Sequence, residues 1–78
     1  MRIEINYYAW FREKIGGKEL LDVEDGLTLE KVVEKLVEKH EFLRSESFLV
    51  AVNGRLANPY TALKEGDVVS LFPPAGGG

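Results

Sequence analysis

The sequence predicts an α+β domain, one mixed sheet with a single main helix packed on one face. Three observations carry this expectation. Residues 2–9 and 19–24 alternate apolar and polar side chains with the period of two expected of half-buried strands. From Leu29 the period changes to that of an amphipathic helix. The 78 residues, 45% of them hydrophobic, suffice for one small core and are too few for a second.

Residues 2–9 set Ile3, Ile5 and Tyr7 against Arg2, Glu4, Asn6 and Tyr8, which predicts a first strand with one buried face. Residues 10–15 break the alternation and run into Gly16-Gly17, the pattern of a short helical turn or loop. Residues 19–24 place Leu21 and Val23 opposite Asp22 and Glu24, a second strand hairpinned to the first, and Asp25-Gly26 follows as a turn. The helix begins after Thr28, a good N-cap residue, with Leu27 and Val32 spaced as a hydrophobic staple. Leu29, Val32, Val33, Leu36 and Val37 form its apolar side. It fades near His40-Glu41-Phe42 into a polar loop, Arg44-Ser45-Glu46-Ser47. Residues 48–52, FLVAV, read as a strand buried on both faces. Asn53-Gly54 fits a tight turn. Residues 55–63 contain Asn58-Pro59 and read as irregular, edge-like chain, because proline cannot donate to a central ladder. Lys64-Glu65-Gly66-Asp67 turns the chain into the last strand, residues 68–72. A hairpin, a right-handed crossover helix and further strands describe a β-grasp domain over residues 1–72, followed by a tail over residues 73–78.

Composition narrows the function classes. With no cysteine, disulfide scaffolds, thiolate metal sites and thiol catalysis are excluded. A net charge of −3 disfavours nucleic acid as a partner. The opening Met1-Arg2-Ile3-Glu4-Ile5 meets a charge at every second residue, so it offers no apolar run for a signal peptide or membrane span, and a cytoplasmic protein is expected. The short chain leaves little material for a substrate cavity, which makes a self-contained enzyme a poor fit.

The tail, Pro73-Pro74-Ala75-Gly76-Gly77-Gly78, is the segment least explained by folding, since glycine loses the most backbone entropy on ordering and buries no side chain. Two prolines stop the last strand and project the chain away from the body. Glycines without Cβ atoms then suit a narrow channel, in which the terminal carboxylate is presented to another protein. A carboxylate is unreactive at neutral pH, so its use requires activation, plausibly as an acyl adenylate made from ATP by a separate enzyme.

A β-grasp domain with this tail resembles the MoaD/ThiS family of ubiquitin-like sulfur carriers. The residues that carry the resemblance are Tyr7-Tyr8-Ala9, Arg12-Glu13, Ala51-Val52-Asn53 leading to Leu56, Leu63-Lys64-Glu65-Gly66-Asp67-Val68, and Phe72-Pro73-Pro74 before the glycines. Phe-Pro-Pro makes it more similar to the MoaD branch, the small subunits of molybdopterin synthase. The resemblance implies that Gly78 is adenylated by an enzyme of the ubiquitin-activating type and converted to a thiocarboxylate by a sulfurtransferase. It is then inserted through Gly76 and Gly77 into the large synthase subunit, for molybdenum or tungsten cofactor biosynthesis. It further implies a partner face made of Tyr8, Leu56 and Phe72 with Pro73 and Pro74, and no bound cofactor or metal. Gly76 departs from the family, where a bulkier residue often precedes the final pair. Strand parity independently sets Tyr8 opposite Ile3, Ile5 and Tyr7, and Phe72 on the face of Ser70. A protein modifier joined through Gly78 to lysines, a thiamin-pathway carrier and a plain β-grasp binding module stay open.

Other signals carry less. In Gly16-Gly17-Lys18 the residue Glu19 stands where a phosphate loop needs Ser or Thr, so the segment reads as a turn. His40 is the only histidine and reads as a helix C-terminal cation or a spectator rather than a metal ligand.

Overall fold

The computed structural model describes residues 1–74; Ala75, Gly76, Gly77 and Gly78 lie outside the described residues. The chain runs through β1 (Arg2–Tyr7), α1 (Ala9–Ile15), β2 (Lys18–Asp22), α2 (Leu29–Lys39), a 3-10 turn (Glu41–Ser45), β3 (Leu49–Val52), β4 (Arg55–Leu56) and β5 (Val68–Phe72). The sheet order is β2-β1-β5-β3-β4. Strand β1 pairs antiparallel with β2 and parallel with β5, while β3 pairs antiparallel with both β4 and β5. This is the expected ubiquitin-like β-grasp, with the first and last strands side by side at its centre.

The register assigns every strand residue to a face. Ile3, Ile5, Tyr7, Val69 and Leu71 point toward α2 and are buried with its Leu29, Val32 and Leu36. Burial of side chains of this size contributes about 1.5–3 kcal/mol each. Thr28 sits at the N-cap position as expected, yet its hydroxyl makes no cap bond. The first amides of α2 are satisfied by main-chain carbonyls instead, Leu29 N–H by Thr61 O at 2.9 Å and Glu30 N–H by Pro59 O at 2.8 Å. The irregular stretch after β4 therefore caps the main helix, which replaces the role expected of Thr28.

Two segments are more ordered than the periodicity suggests. Residues 9–15 form a full helix, held to the core by the buried Phe11 and closed by Gly16 N–H donating to Arg12 O at 2.8 Å. The spacing of Phe11 and Ile15 by four residues ahead of Gly16 is the signal for it. The polar loop after α2 opens as a 3-10 turn because Leu43, 1% exposed, enters the core from it. The reading of residues 48–52 as buried on both faces is corrected at Leu49, which is 41% exposed; the small Ala51 on the same face is buried among its neighbours, and Val50 and Val52 on the α2 side are half-buried. A run of five apolar residues does not distinguish a strand covered twice from one with a bare apolar face.

Turn chemistry follows the sequence closely at Asn53-Gly54. Their φ values of 50° and 84° are those of a two-residue turn with both central residues left-handed, which Asn and Gly tolerate. Asn53 also anchors the turn. Its side chain donates to Asp67 Oδ1 at 3.0 Å and accepts from Val68 N–H at 3.0 Å. Those bonds, with Lys64 N–H to Asp67 Oδ2 at 2.8 Å, hold Asp67 below its ordinary carboxylate value, the Asn53 contact being the largest cause.

Candidate partner-docking face

The face of the sheet turned away from α2 is uncovered. Register places Asn6 beside Ser70, Ser70 beside Ala51, and Ala51 beside Leu56 on this face, with Leu49 beside Phe72 one step along. Tyr8 ends β1 on the same side. Its carbonyl receives the Phe11 amide at 3.2 Å as α1 begins. The adjoining Ala9 takes φ 53°, a sharp bend that costs an alanine about 1 kcal/mol. The Tyr8 and Phe72 rings meet edge to face, 5.8 Å between centroids, a favourable aromatic geometry. Tyr8 is 44% exposed and Leu56 71% exposed. Small residues between them leave a shallow depression floored by Ala51, Gly54 and Ser70.

Tyr8, Leu56 and Phe72 thus share the open face, Tyr8 and Phe72 on the walls of the depression and Leu56 beside its Ala51 floor. Pro73, half-buried, and the exposed Pro74 continue from Phe72 out of β5. Gly76, Gly77 and Gly78 lie outside the described residues. Leu49, beside Phe72, extends the apolar surface, whereas the exposed Leu20 is separated from it by Glu4 and Asn6 of β1. Leu49 was hidden by the doubly buried reading of its strand. Strand parity sets Leu20 on the outer face with Asp22, where it pairs with Glu4. Exposed apolar area of this continuity marks an interaction surface. Beside Tyr8 the character changes to polar, in a second depression lined by Asn6, Arg12, Gly17 and Lys18.

The most strongly coupled ionisable group is elsewhere. Glu19, paired with Ile5, points to the α2 side of the sheet edge. It accepts hydrogen bonds from Tyr7 Oη at 2.5 Å, His40 Nε2 at 2.7 Å and Lys39 Nζ at 2.5 Å. Burial opposes its charge, but the bonds from Lys39, Tyr7 and His40 outweigh it and hold the carboxyl below 4.5. Burial first, and then the Glu19 bond and charge, raise Tyr7 well above its ordinary value, so its phenol stays a donor. His40, at the end of α2, is a tie between helix and sheet. Among the described residues no group of three His, Asp or Glu side chains is placed to hold a metal, and no helix is long and apolar enough to cross a membrane. Among the described residues the open face offers a docking surface, and the ionic cluster at Glu19 lies away from it.

Comparison with known proteins agrees with this architecture. The chain is 34% identical over 92 residues to small archaeal modifier protein 3 of Haloferax volcanii, with both proteins covered completely. It is 34% identical over 80 residues to the molybdopterin synthase sulfur carrier subunit of Haemophilus influenzae, covering 97% of this chain and 99% of that protein. Among solved structures, it superposes on a chain of the complex of subunits 1 and 2 of the molybdopterin-converting factor from Helicobacter pylori. There the TM-score is 0.73 at 28% identity, with both chains covered completely. The model of the ThiS family matches residues 5–78, and the chain belongs to that family.

Proposed function

We propose that this protein is a sulfur carrier acting as the small subunit of a molybdopterin synthase, with Gly78 as the carrying residue. The observation that carries the reading is the continuity of the open apolar face with the tail. Tyr8 and Phe72 lie at the point where Pro73 and Pro74 leave the sheet, so a partner gripping this face receives the chain end next to its grip. The likeness to a sulfur carrier subunit and to a chain solved in complex with its second subunit supports the same reading, and the family match extends through Gly78.

In this reading Tyr8, Leu56 and Phe72 bind the large synthase subunit, Pro73 and Pro74 direct the exit, and Gly76 and Gly77 thread the channel. The Gly78 carboxylate attacks the α-phosphorus of ATP on an adenylating enzyme of the ubiquitin-activating type, and pyrophosphate leaves. The persulfide of a sulfurtransferase then displaces AMP to form an acyl disulfide, and a second thiol attacks its S–S bond, releasing the Gly78 thiocarboxylate and leaving a disulfide on the sulfurtransferase side. The protein itself holds no cofactor; ATP belongs to the activating enzyme. An ATP-dependent first step favours a cytoplasmic setting.

A second reading is favoured by the Haloferax relative, named as a modifier: Gly78 joined to lysines of other proteins after the same activation. Mass spectrometry of the C-terminus of protein recovered from its own cells separates the two. A fraction heavier by one sulfur-for-oxygen exchange is expected. Residues 65–78 of this chain, the remnant trypsin leaves after Lys64, found on foreign lysines without that fraction would select the modifier, and free carboxylate alone in pathway-active cells would reject both.

A further inference from the structure

Beside the row of α2 residues that enters the core, one flank of the helix is only partly covered. Leu29, Val33 and Val37 recur every four residues along it. Leu29 is buried, whereas Val33 and Val37 are only half-buried. The sheet beneath ends in β4, two residues long, so it stops short of covering this flank. The result is an apolar valley between α2 and the β3–β4 hairpin, with Phe48 and Pro59 on its far wall, and it meets the open face at its rim, where Leu49 and Leu56 line both. It runs into a second depression beside Val33 and Val37 that reaches Arg44.

Its charge is one-sided. Glu30, Glu34 and Glu38 line the rim, again four residues and so about 6 Å apart along the axis. Lys31 approaches Glu34 at 3.7 Å, but both side chains are more than half exposed, and such a pair is worth only a few tenths of a kcal/mol and exchanges readily. Arg44 closes the far end, where it contacts Glu41 at 3.3 Å. A complementary occupant carries bulky apolar side chains on one stripe and cations beside them at the same four-residue interval. An amphipathic basic helix has that repeat, and the valley from Leu29 to Val37 is about 12 Å long, roughly two turns of such a helix. We propose that this valley docks a basic amphipathic helix of a protein partner, leaving Tyr8, Phe72 and the tail free.

The test is a titration of the ¹⁵N-labelled full-length protein with a synthetic helical peptide, its leucines one turn apart and flanked by lysines, followed by NMR. Saturable shifts at Val33, Val37 and Phe48 are expected, with Tyr8, Ser70 and Phe72 unmoved and with affinity falling as salt rises. Glu34→Lys with Glu38→Lys, both exposed and clear of the core, is expected to weaken binding about 2- to 5-fold per site at unchanged melting temperature. No saturation, equal binding of a glutamate-flanked peptide, or shifts confined to the open face would each overturn the proposal. So would valley shifts that depend on protein concentration without peptide, which would make the occupant a second copy.

Discussion

Replacing Glu19 by glutamine tests the one ionic cluster that ties sheet to helix. Glutamine keeps the shape and an acceptor for Tyr7, whose ring is fully buried, but it loses the charge that faces His40 and Lys39. Hydrogen bonds to a charged group are worth about 1.5–3 kcal/mol and neutral ones nearer 1. Lys39 is half exposed, so its share is small. The expected loss is about 1–2 kcal/mol at neutral pH. For 78 residues, each kcal/mol lowers the melting temperature by about 6 °C, so a drop of roughly 6–12 °C is expected. The pH dependence gives a second readout. Because Glu19 ionises more readily folded than unfolded, its charge stabilises the fold above about pH 4.5 and that contribution disappears as pH falls through the lower folded value. The gap between wild type and Glu19→Gln should therefore narrow in acid. Urea unfolding followed by the single tryptophan reads both effects, since Trp10 packs on Phe11 and Phe42. Equal stability at neutral pH, or a gap unchanged down to pH 3, would refute the argument.

Other outcomes follow from individual contacts. Leu43→Ala, in a segment that reads as a polar loop, should cost about 2–4 kcal/mol because the side chain is buried, and denaturant midpoints check it. Asn53→Ala removes a residue suited to φ 50° and two side-chain bonds; a loss of about 1–3 kcal/mol is expected by the same assay. Phe72→Ala should weaken binding to the large synthase subunit by roughly 1–3 kcal/mol in calorimetry, and undiminished affinity would remove Phe72 from the interface. Deleting Gly78 should preserve the cooperative melt and abolish thiocarboxylate formation, with mass spectrometry as the check.

The legible part of this protein was written in local pattern. Period-two alternation in β1 and β2, the helical row of α2 and the Asn53-Gly54 turn each depend on residues within a few positions of one another, so the sequence by itself determined the fold class and the order of its strands and main helix. The parity of Tyr8 and Phe72 likewise set both on the uncovered face. What tertiary structure alone decided depends on residues far apart in the chain. The cap of α2 comes from Pro59 and Thr61, about 30 positions away, because chain returning from β4 supplies carbonyls where a Thr28 hydroxyl was expected. Glu19 reads as an ordinary strand carboxylate until pairing and crossover bring Tyr7, Lys39 and His40 to it. Leu49 reads as core until the sheet is seen to lack a second covering layer. Local periodicity says which way a side chain points, and only the assembled neighbours say what, if anything, is there to meet it.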